Sequence, residues 1–270
     1  MAVTIGFIGA GNMGGALIKG LSGHTGRFEL HVYDVNTQLT ADMSGHYPIR
    51  LAHSMPDLVR DCQVIIAAVK PKIMESVLKE CAQAMDSSKL FITVAAGLPI
   101  SFYLKNLGNA CKVVRTMPNT PALIGQGMTV VSYGEHVSPE EKQLVKDIFQ
   151  CVGAVEELDE KLMSEVIALT GSSPAYVFMF IEAMADAAVQ SGLPRSLSYR
   201  LAAQAVMGSA RMVLETGKHP AELKDMVCSP AGTTIEAVAA LERKGFRDSV
   251  ITAMKECTQR AREIGRETGQ

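Results

Sequence analysis

VTIGFIGAGNMGG, residues 3–15, runs from an apolar stretch through a glycine-rich turn into the start of an amphipathic segment. The apolar stretch, VTIGFI (3–8), lacks the alternation of a half-exposed strand and fits a parallel strand covered on both faces. Three glycines follow at fixed spacing: Gly9, Gly11 and Gly14. The first permits a tight turn, the second lets the backbone approach a pyrophosphate, and the third lets helix and strand pack closely. Phosphates then sit on the unpaired N–H groups of the helix start, where the helix dipole favours anions. The residues placed on such a ligand are Ile8, Gly9, Ala10, Gly11, Asn12 and Met13. Asp34 ends the next apolar run, 20 positions past Gly14, where a carboxylate accepts hydrogen bonds from the ribose hydroxyls of a dinucleotide. A ligand-free glycine turn and a solvated strand end are the plainer alternatives. The motif's position at the head of a β/α alternation weighs against both.

That alternation continues to about residue 157. ELHVYD (29–34), QVIIAAV (63–69), LFITVAA (90–96) and KVVRT (112–116) are predicted strands, and 12–21, 72–85 and 138–150 are predicted helices. SPEE (138–141) sets Ser at a cap, Pro in the first turn and Glu three residues on, a helix-start pattern. Strands alternating with helices through right-handed crossovers give a doubly wound, Rossmann-like α/β sheet, expected over residues 1–157. Ligands bind at the carboxyl ends of such strands, and three more loops lie there. AAVKP (67–71) supplies Ala68, Val69, Lys70 and Pro71; Lys70 either approaches cofactor phosphate or ribose or is a solvated lysine at a helix start. VAAG (94–97) has side chains small enough for a ring to lie over the backbone. MPNTPA (117–122) sets a rigid turn that admits a cis bond, with Asn119 either ordering it or binding a ligand. Asn36 either caps the next helix or touches a ribose.

Beyond VEELDE (155–160) the β signal ends. Helical patterning is punctuated by GSSP (171–174), SGLP (191–194), TGKHP (216–220), CSPAG (228–232) and KGF (244–246), so residues 158–270 are expected to form an all-α domain. A small Ala-rich helical domain exposes much surface, and burial against a second subunit follows. PAYVFMFIEAMADAAV (174–189) is cut by Glu182 and Asp186 and reads as an interface helix rather than a membrane span. Those two carboxylates, one turn apart, read as a polar stripe.

The chain has 270 residues, 26 basic against 28 acidic, for a formal net charge of −2, and no block of like charge that points to nucleic acid or an acidic membrane surface. Its six Cys and six His show neither metal-type spacing nor a disulfide scaffold, so no metal is expected. The first residues lack a secretory pattern, and a reduced, cytoplasmic setting is expected.

DMVCSPAGTTIEAV (225–238) is the unusual feature of the helical half. Small and hydroxyl-bearing residues crowd a loop that leads straight into a helix start. An ordinary Ser/Thr cap is the plain reading. An anion nest is the other, with Pro230 stiffening the loop and Gly232 keeping its backbone open to a ligand.

IGFIGAGNMGGALIKGL, AAVKP, MPNTPA, TGSSPAYVFMFIEAMADAAVQSGLPR and HPAELKDMVCSPAGTTIEAVAALERKGF occur in that order along the whole chain. In this set, and most specifically in 220–246, the sequence closely resembles the pyrroline-5-carboxylate reductases. The resemblance implies a Rossmann domain binding NADPH or NADH and a helical, substrate-binding dimerisation domain that intertwines with a second subunit's, with dimers assembling into larger rings. It implies hydride transfer to 1-pyrroline-5-carboxylate, giving L-proline in the last step of proline biosynthesis. It sets Thr234, as the catalytic residue, beside the imine nitrogen, and Ser229, Gly232 and Thr233 around the substrate carboxylate. Asp34 taken alone favours NADH, because its charge repels a 2′-phosphate and no Arg follows it, yet the family includes NADPH-preferring members. One departure is visible: the family usually has Gly-Gly-Thr-Thr after the proline, and Ala231 replaces the first glycine. If the backbone there needs φ > 0, Ala is strained by of order 1 kcal/mol. A β-hydroxyacid dehydrogenase would carry a catalytic Lys where this chain reads VIALTGSSPAYVF. A dinucleotide sensor or scaffold without turnover would keep the glycines beside a degraded 229–234 loop.

Overall fold

The computed structural model describes residues 2–269, with side chains to 265. Met1 and Gln270, the outer ends of the two expected domains, lie outside the described residues. The chain divides into two compact units, one of residues 1–172 with 257–270 and one of Ser173–Glu256.

The first unit is built on one sheet of β1 (Val3–Ile8), β2 (Phe28–Tyr33), β3 (Ile49–Leu51), β4 (Val64–Ala67), β5 (Leu90–Thr93), β6 (Lys112–Met117), β7 (Gly127–Tyr133) and β8 (Gly153–Glu157). Their order across the sheet is β3-β2-β1-β4-β5-β6-β7-β8. The expected parallel pairing holds from β3 to β6, whereas β7 runs antiparallel to β6. β3, β7 and β8 carry no separate signal in the sequence reading. Helices α1 (Asn12–Ser22), α2 (Thr37–Ser44), α3 (Met55–Asp61), α4 (Pro71–Cys81), α5 (Ile100–Leu107) and α6 (Pro139–Gln150) link the strands. The expected capping box is present at Ser138 and Glu141.

Alternation along each strand feeds two apolar layers. Ile5, Phe7, Ile66 and Ile92 pack with Leu17, Leu21, Ile148 and Phe149; Ile65 and Phe91 pack with Leu58, Met74, Leu78 and Tyr103. Burying one such aliphatic or Phe side chain is worth roughly 1.5–3 kcal/mol, so these layers outweigh the exposed ion pairs, worth about 0–1 kcal/mol each. Strands β4 and β5 stop earlier than their apolar runs: the Ala68 and Val94 N–H groups make one last bond each, to the Ile8 and Ala67 carbonyls, and the chain then leaves the sheet.

The expected boundary at 157/158 falls 15 residues before the end of this unit's first segment. The short helix α7 (Met163–Val166) and a π-turn over Ile167–Gly171 stay with the sheet, since Met163 and Val166 pack on Met117 and Val130. The second unit holds α8 (Ser173–Gln190), α9 (Arg195–Thr216), α10 (Pro220–Val227), α11 (Thr233–Arg243) and the start of α12 (Phe246–Gly269). It is all helix, as expected. Few of its side chains are buried, Ala185, Ser198 and Ala202 among them, while Val177, Phe178, Met179, Phe180, Leu201, Met207 and Leu214 are exposed. The helical run Glu160–Gln190 is longer than the sequence reading and, by length and composition alone, long and apolar enough to cross a membrane.

Candidate active site

Gly9 follows β1 at φ +98°, and its N–H donates to the Tyr33 carbonyl at 2.8 Å. The chain then enters α1 at Asn12 with Gly11 as cap, no side chain capping it and no acidic residue in the first turn. The first N–H groups of α1 are therefore left for an outside anion. A methyl group on Gly14 would collide with the Gly9 carbonyl oxygen, whereas one on Gly11 would meet nothing within 4 Å. One glycine closes helix on strand; the other keeps space above the turn.

The Asp34 carboxylate, read from sequence as a ribose ligand, holds two backbone N–H groups of this chain. Its Oδ2 accepts from the Ala10 N–H at 2.7 Å and its Oδ1 from the Asn36 N–H at 2.8 Å. The carboxylate thus latches the glycine turn to the end of β2. Asn36 caps α2, its Oδ1 accepting from Leu39 N–H at 3.1 Å. Lys70 is the cap residue of α4 and Pro71 its first residue.

These elements surround a cleft of about 570 Å³. Ile8, Gly9, Gly11, Asn12, Met13, Asp34, Ala68, Val69, Lys70 and Pro71 line it. Ala10, the other residue named from sequence, has its side chain buried and takes part through its N–H. Val94, Ala95 and Ala96, flagged as a small-residue loop, form one edge. Tyr33, Val35, Met55, Ile73 and Val77 also line the cleft, and the sequence reading missed them. Tyr33 and Val35 flank Asp34 and were within reach of that signal; Met55, Ile73 and Val77 lie on helices and carry none. An uncapped helix start, open space at Gly11, a carboxylate at the β2 end and an apolar far edge fit a dinucleotide.

Asn119 orders its turn: its Oδ1 accepts from Met128 N–H at 2.9 Å and its Nδ2 donates to the Thr170 carbonyl at 3.1 Å. The cis bond admitted in MPNTPA is not found; the described peptide bonds are all trans.

In the second unit the 229–234 loop is tight. Gly232 N–H donates to the Ser229 carbonyl at 3.0 Å, and a methyl group on Gly232 would collide with Ser229 Oγ. Gly232 is the cap of α11, whose first residues are Thr233 and Thr234, and no side chain caps it. The plain Ser/Thr cap is thus not what these hydroxyls do, and the first-turn N–H groups stay available. Ser229 and Thr233 are exposed, Gly232 and Thr234 half-buried. Asp186 pairs with Arg195, as a polar stripe would.

A family model described as "Pyrroline-5-carboxylate reductase dimerisation" matches residues 160–264, and one described as "NADP oxidoreductase coenzyme F420-dependent" matches residues 4–97. The pyrroline-5-carboxylate reductase of Escherichia coli (strain K12) is 48% identical over 268 residues, covering 98% of this chain and 100% of its own length. The chain belongs to the pyrroline-5-carboxylate reductases. The Methanosarcina acetivorans pyrroline-5-carboxylate reductase is 41% identical, covering 97% of this chain and 98% of its own length. A crystal structure of Plasmodium falciparum pyrroline carboxylate reductase with NADP bound superposes with a TM-score of 0.88 at 34% identity, covering 97% of this chain and 98% of that one.

Within a pyrroline-5-carboxylate reductase the Ala231 departure has a definite geometry. Ala231 sits at φ +56°, the one non-glycine residue with positive φ among the described residues. The backbone there does need the left-handed region, and alanine occupies it under strain.

Proposed function

We propose that this chain reduces 1-pyrroline-5-carboxylate to L-proline with NADPH or NADH, the last step of proline biosynthesis, through the residues read from its sequence. The observation that carries the site assignment is the uncapped start of α11, where Gly232, Thr233 and Thr234 follow a tight Ser229 turn. A chain that only sensed a dinucleotide would need the glycine turn and cleft but not this second, anion-ready loop.

Ile8, Gly9, Ala10, Gly11, Asn12, Met13, Asp34, Ala68, Val69, Lys70 and Pro71 hold the dinucleotide. Bound there, it supplies a hydride for the carbon of the substrate's C=N bond, whose π pair moves onto nitrogen. Ser229, Gly232 and Thr233 hold the carboxylate on hydroxyl and N–H donors. Thr234 Oγ accepts from the N–H of the protonated imine, which keeps its proton throughout, so no general base is called for. The protein's contribution is orientation and electrostatic placement.

A second copy of the chain covers the exposed apolar side chains of α8 and α9 in a homodimer, and dimers close into a ring in the cytoplasm. The dimerisation model over 160–264 supports the dimer.

The test is cofactor absorbance at saturating pyrroline-5-carboxylate, with NADH and NADPH in parallel, for wild type and Thr234→Ala. Imine-dependent oxidation with proline as product is expected. A fall of about 10–100-fold in turnover is expected for the variant, the loss of one hydrogen bond to a charged group. Cofactor binding without imine-dependent oxidation in wild type would return the sensor reading. A fully active Thr234→Ala would remove Thr234 from the mechanism and leave the reaction standing.

A further inference from the structure

The edge of the cleft at residues 94–96 is held from behind. After Val94, whose N–H donates to the Ala67 carbonyl at 3.2 Å, the chain leaves the sheet, and the buried Ala95 N–H loses its place in the ladder. A buried N–H without a partner is costly. Thr93 Oγ1 takes it at 3.1 Å. That hydroxyl shares a second hydrogen bond with Tyr103 Oη at 2.7 Å, and both residues are fully buried. Thr116 Oγ1 donates to the Thr93 carbonyl at 2.9 Å, fixing the same residue from β6. The Tyr103 ring is wedged between Phe91 and Phe102, with ring centres 5.8 and 5.5 Å away. Burial pushes the phenol well above its ordinary pKa, so its proton stays on.

The sheet order says which part of a dinucleotide meets this edge. Asp34 follows β2, the glycine turn follows β1, Lys70 follows β4 and residues 94–96 follow β5. With the adenosine ribose at Asp34 and phosphates at the glycine turn, the far edge receives the ring that carries the hydride.

We propose that Tyr103, acting through Thr93, is a positioning residue that sets the 94–96 edge and with it the geometry of hydride transfer. The inference rests on the reductase reading above. Tyr103 does not line the cleft; it fixes the hydroxyl that fixes the Ala95 N–H. Displacing this edge by a fraction of an ångström leaves the adenosine end untouched and misaligns the reacting atoms.

The test compares Tyr103→Phe, which keeps the ring stack, with Thr93→Val and Thr93→Ser. Expected for Tyr103→Phe and Thr93→Val is a fall in kcat of about 10-fold. KM for pyrroline-5-carboxylate and the Kd for adenosine 5′-diphosphate should stay within about twofold, since neither contact lies at this edge. Amide exchange at Ala95 should quicken by at least about 10-fold. Thr93→Ser keeps the hydroxyl and should keep kcat. Wild-type kcat and unchanged Ala95 exchange in Tyr103→Phe would overturn the proposal. So would a loss of kcat matched by an equal loss of adenosine 5′-diphosphate affinity, the mark of general loosening. If wild type itself shows no turnover, the reductase reading has failed, and Ala95 exchange still decides whether Tyr103 holds the edge.

Discussion

Ala231→Gly should make this protein more stable, although it removes a methyl group and a residue of lower chain entropy. Holding an L-residue in the left-handed region costs about 1–2 kcal/mol, and Ala231 is held there at φ +56°. Glycine relieves that strain but gains freedom in the unfolded chain, which takes back about 0.4–1 kcal/mol. The net gain is centred on about 0.8 kcal/mol, within about 0–1.6 kcal/mol. For a chain of this size the central value is roughly 2–3 °C in melting temperature. The Ala231 methyl is on an exposed loop residue, so its removal leaves no cavity to offset the gain. Thermal melts of both proteins at one fixed protomer concentration measure it, since an oligomer's midpoint moves with concentration. Ala231→Val serves as the opposite arm: a β-branched residue is worse at positive φ, and its midpoint should fall by several degrees. A glycine variant that melts at or below wild type, beside a valine variant that melts with it, would refute the strain argument.

The two glycines of the dinucleotide turn should part company. Gly14→Ala collides with backbone and should lose both cofactor binding and stability, whereas Gly11→Ala meets open space and should melt like wild type while binding NADPH about 10-fold or more weakly; equal effects at the two positions would contradict the cradle. Asp34→Ala removes two charge-assisted hydrogen bonds to the Ala10 and Asn36 N–H groups. It should weaken NADH binding by about 10-fold or more, and NADPH binding less, by titration of each dinucleotide. Burial, aided by the neighbouring Asp61 and Glu80 charges, pushes the Cys62 and Cys81 thiols up to about 12. A raised thiol pKa means less thiolate, roughly one part in ten thousand at pH 8, so iodoacetamide should leave both unmodified until the protein is unfolded. Rapid native-state labelling of either would show that the site is open.

The features readable in advance were those written locally. Gly14 announces its geometry because it answers to Gly9, five residues away, and Ser138 with Glu141 does the same for α6. Asp34 was placed at the right strand end, but its latch to Ala10 spans 24 positions and depends on how β1 and β2 pair. Asn36 and Asn119 each stood between two readings, and only hydrogen-bond partners set by the fold decided between cap, turn and ligand. The direction of β7 is not written in its sequence, because nothing local in GMTVVSY tells a strand to run against its neighbour. Tyr103 reads as one more buried aromatic until α5 is laid on β5. The 157/158 boundary followed the end of the β pattern, whereas the compact unit is drawn by Met163 and Val166 packing on β6 and β7.

The return of residues 257–265 to the first unit bears on how the protein is made. Arg262 pairs with Glu165, Cys257 Sγ bonds Ser172 Oγ at 3.2 Å, and a methyl on Gly97 would touch Ile264 at 3.4 Å. On a ribosome the sheet and its glycine turn emerge first, yet the segment that completes their unit emerges after the whole helical unit has been synthesised. The nascent dinucleotide-binding half therefore waits, with the surface around Gly97 and Glu165 uncovered, for residues translated about 100 to 170 positions later. A fusion or truncation that disturbs α12 beyond Cys257 would injure the unit that begins the chain.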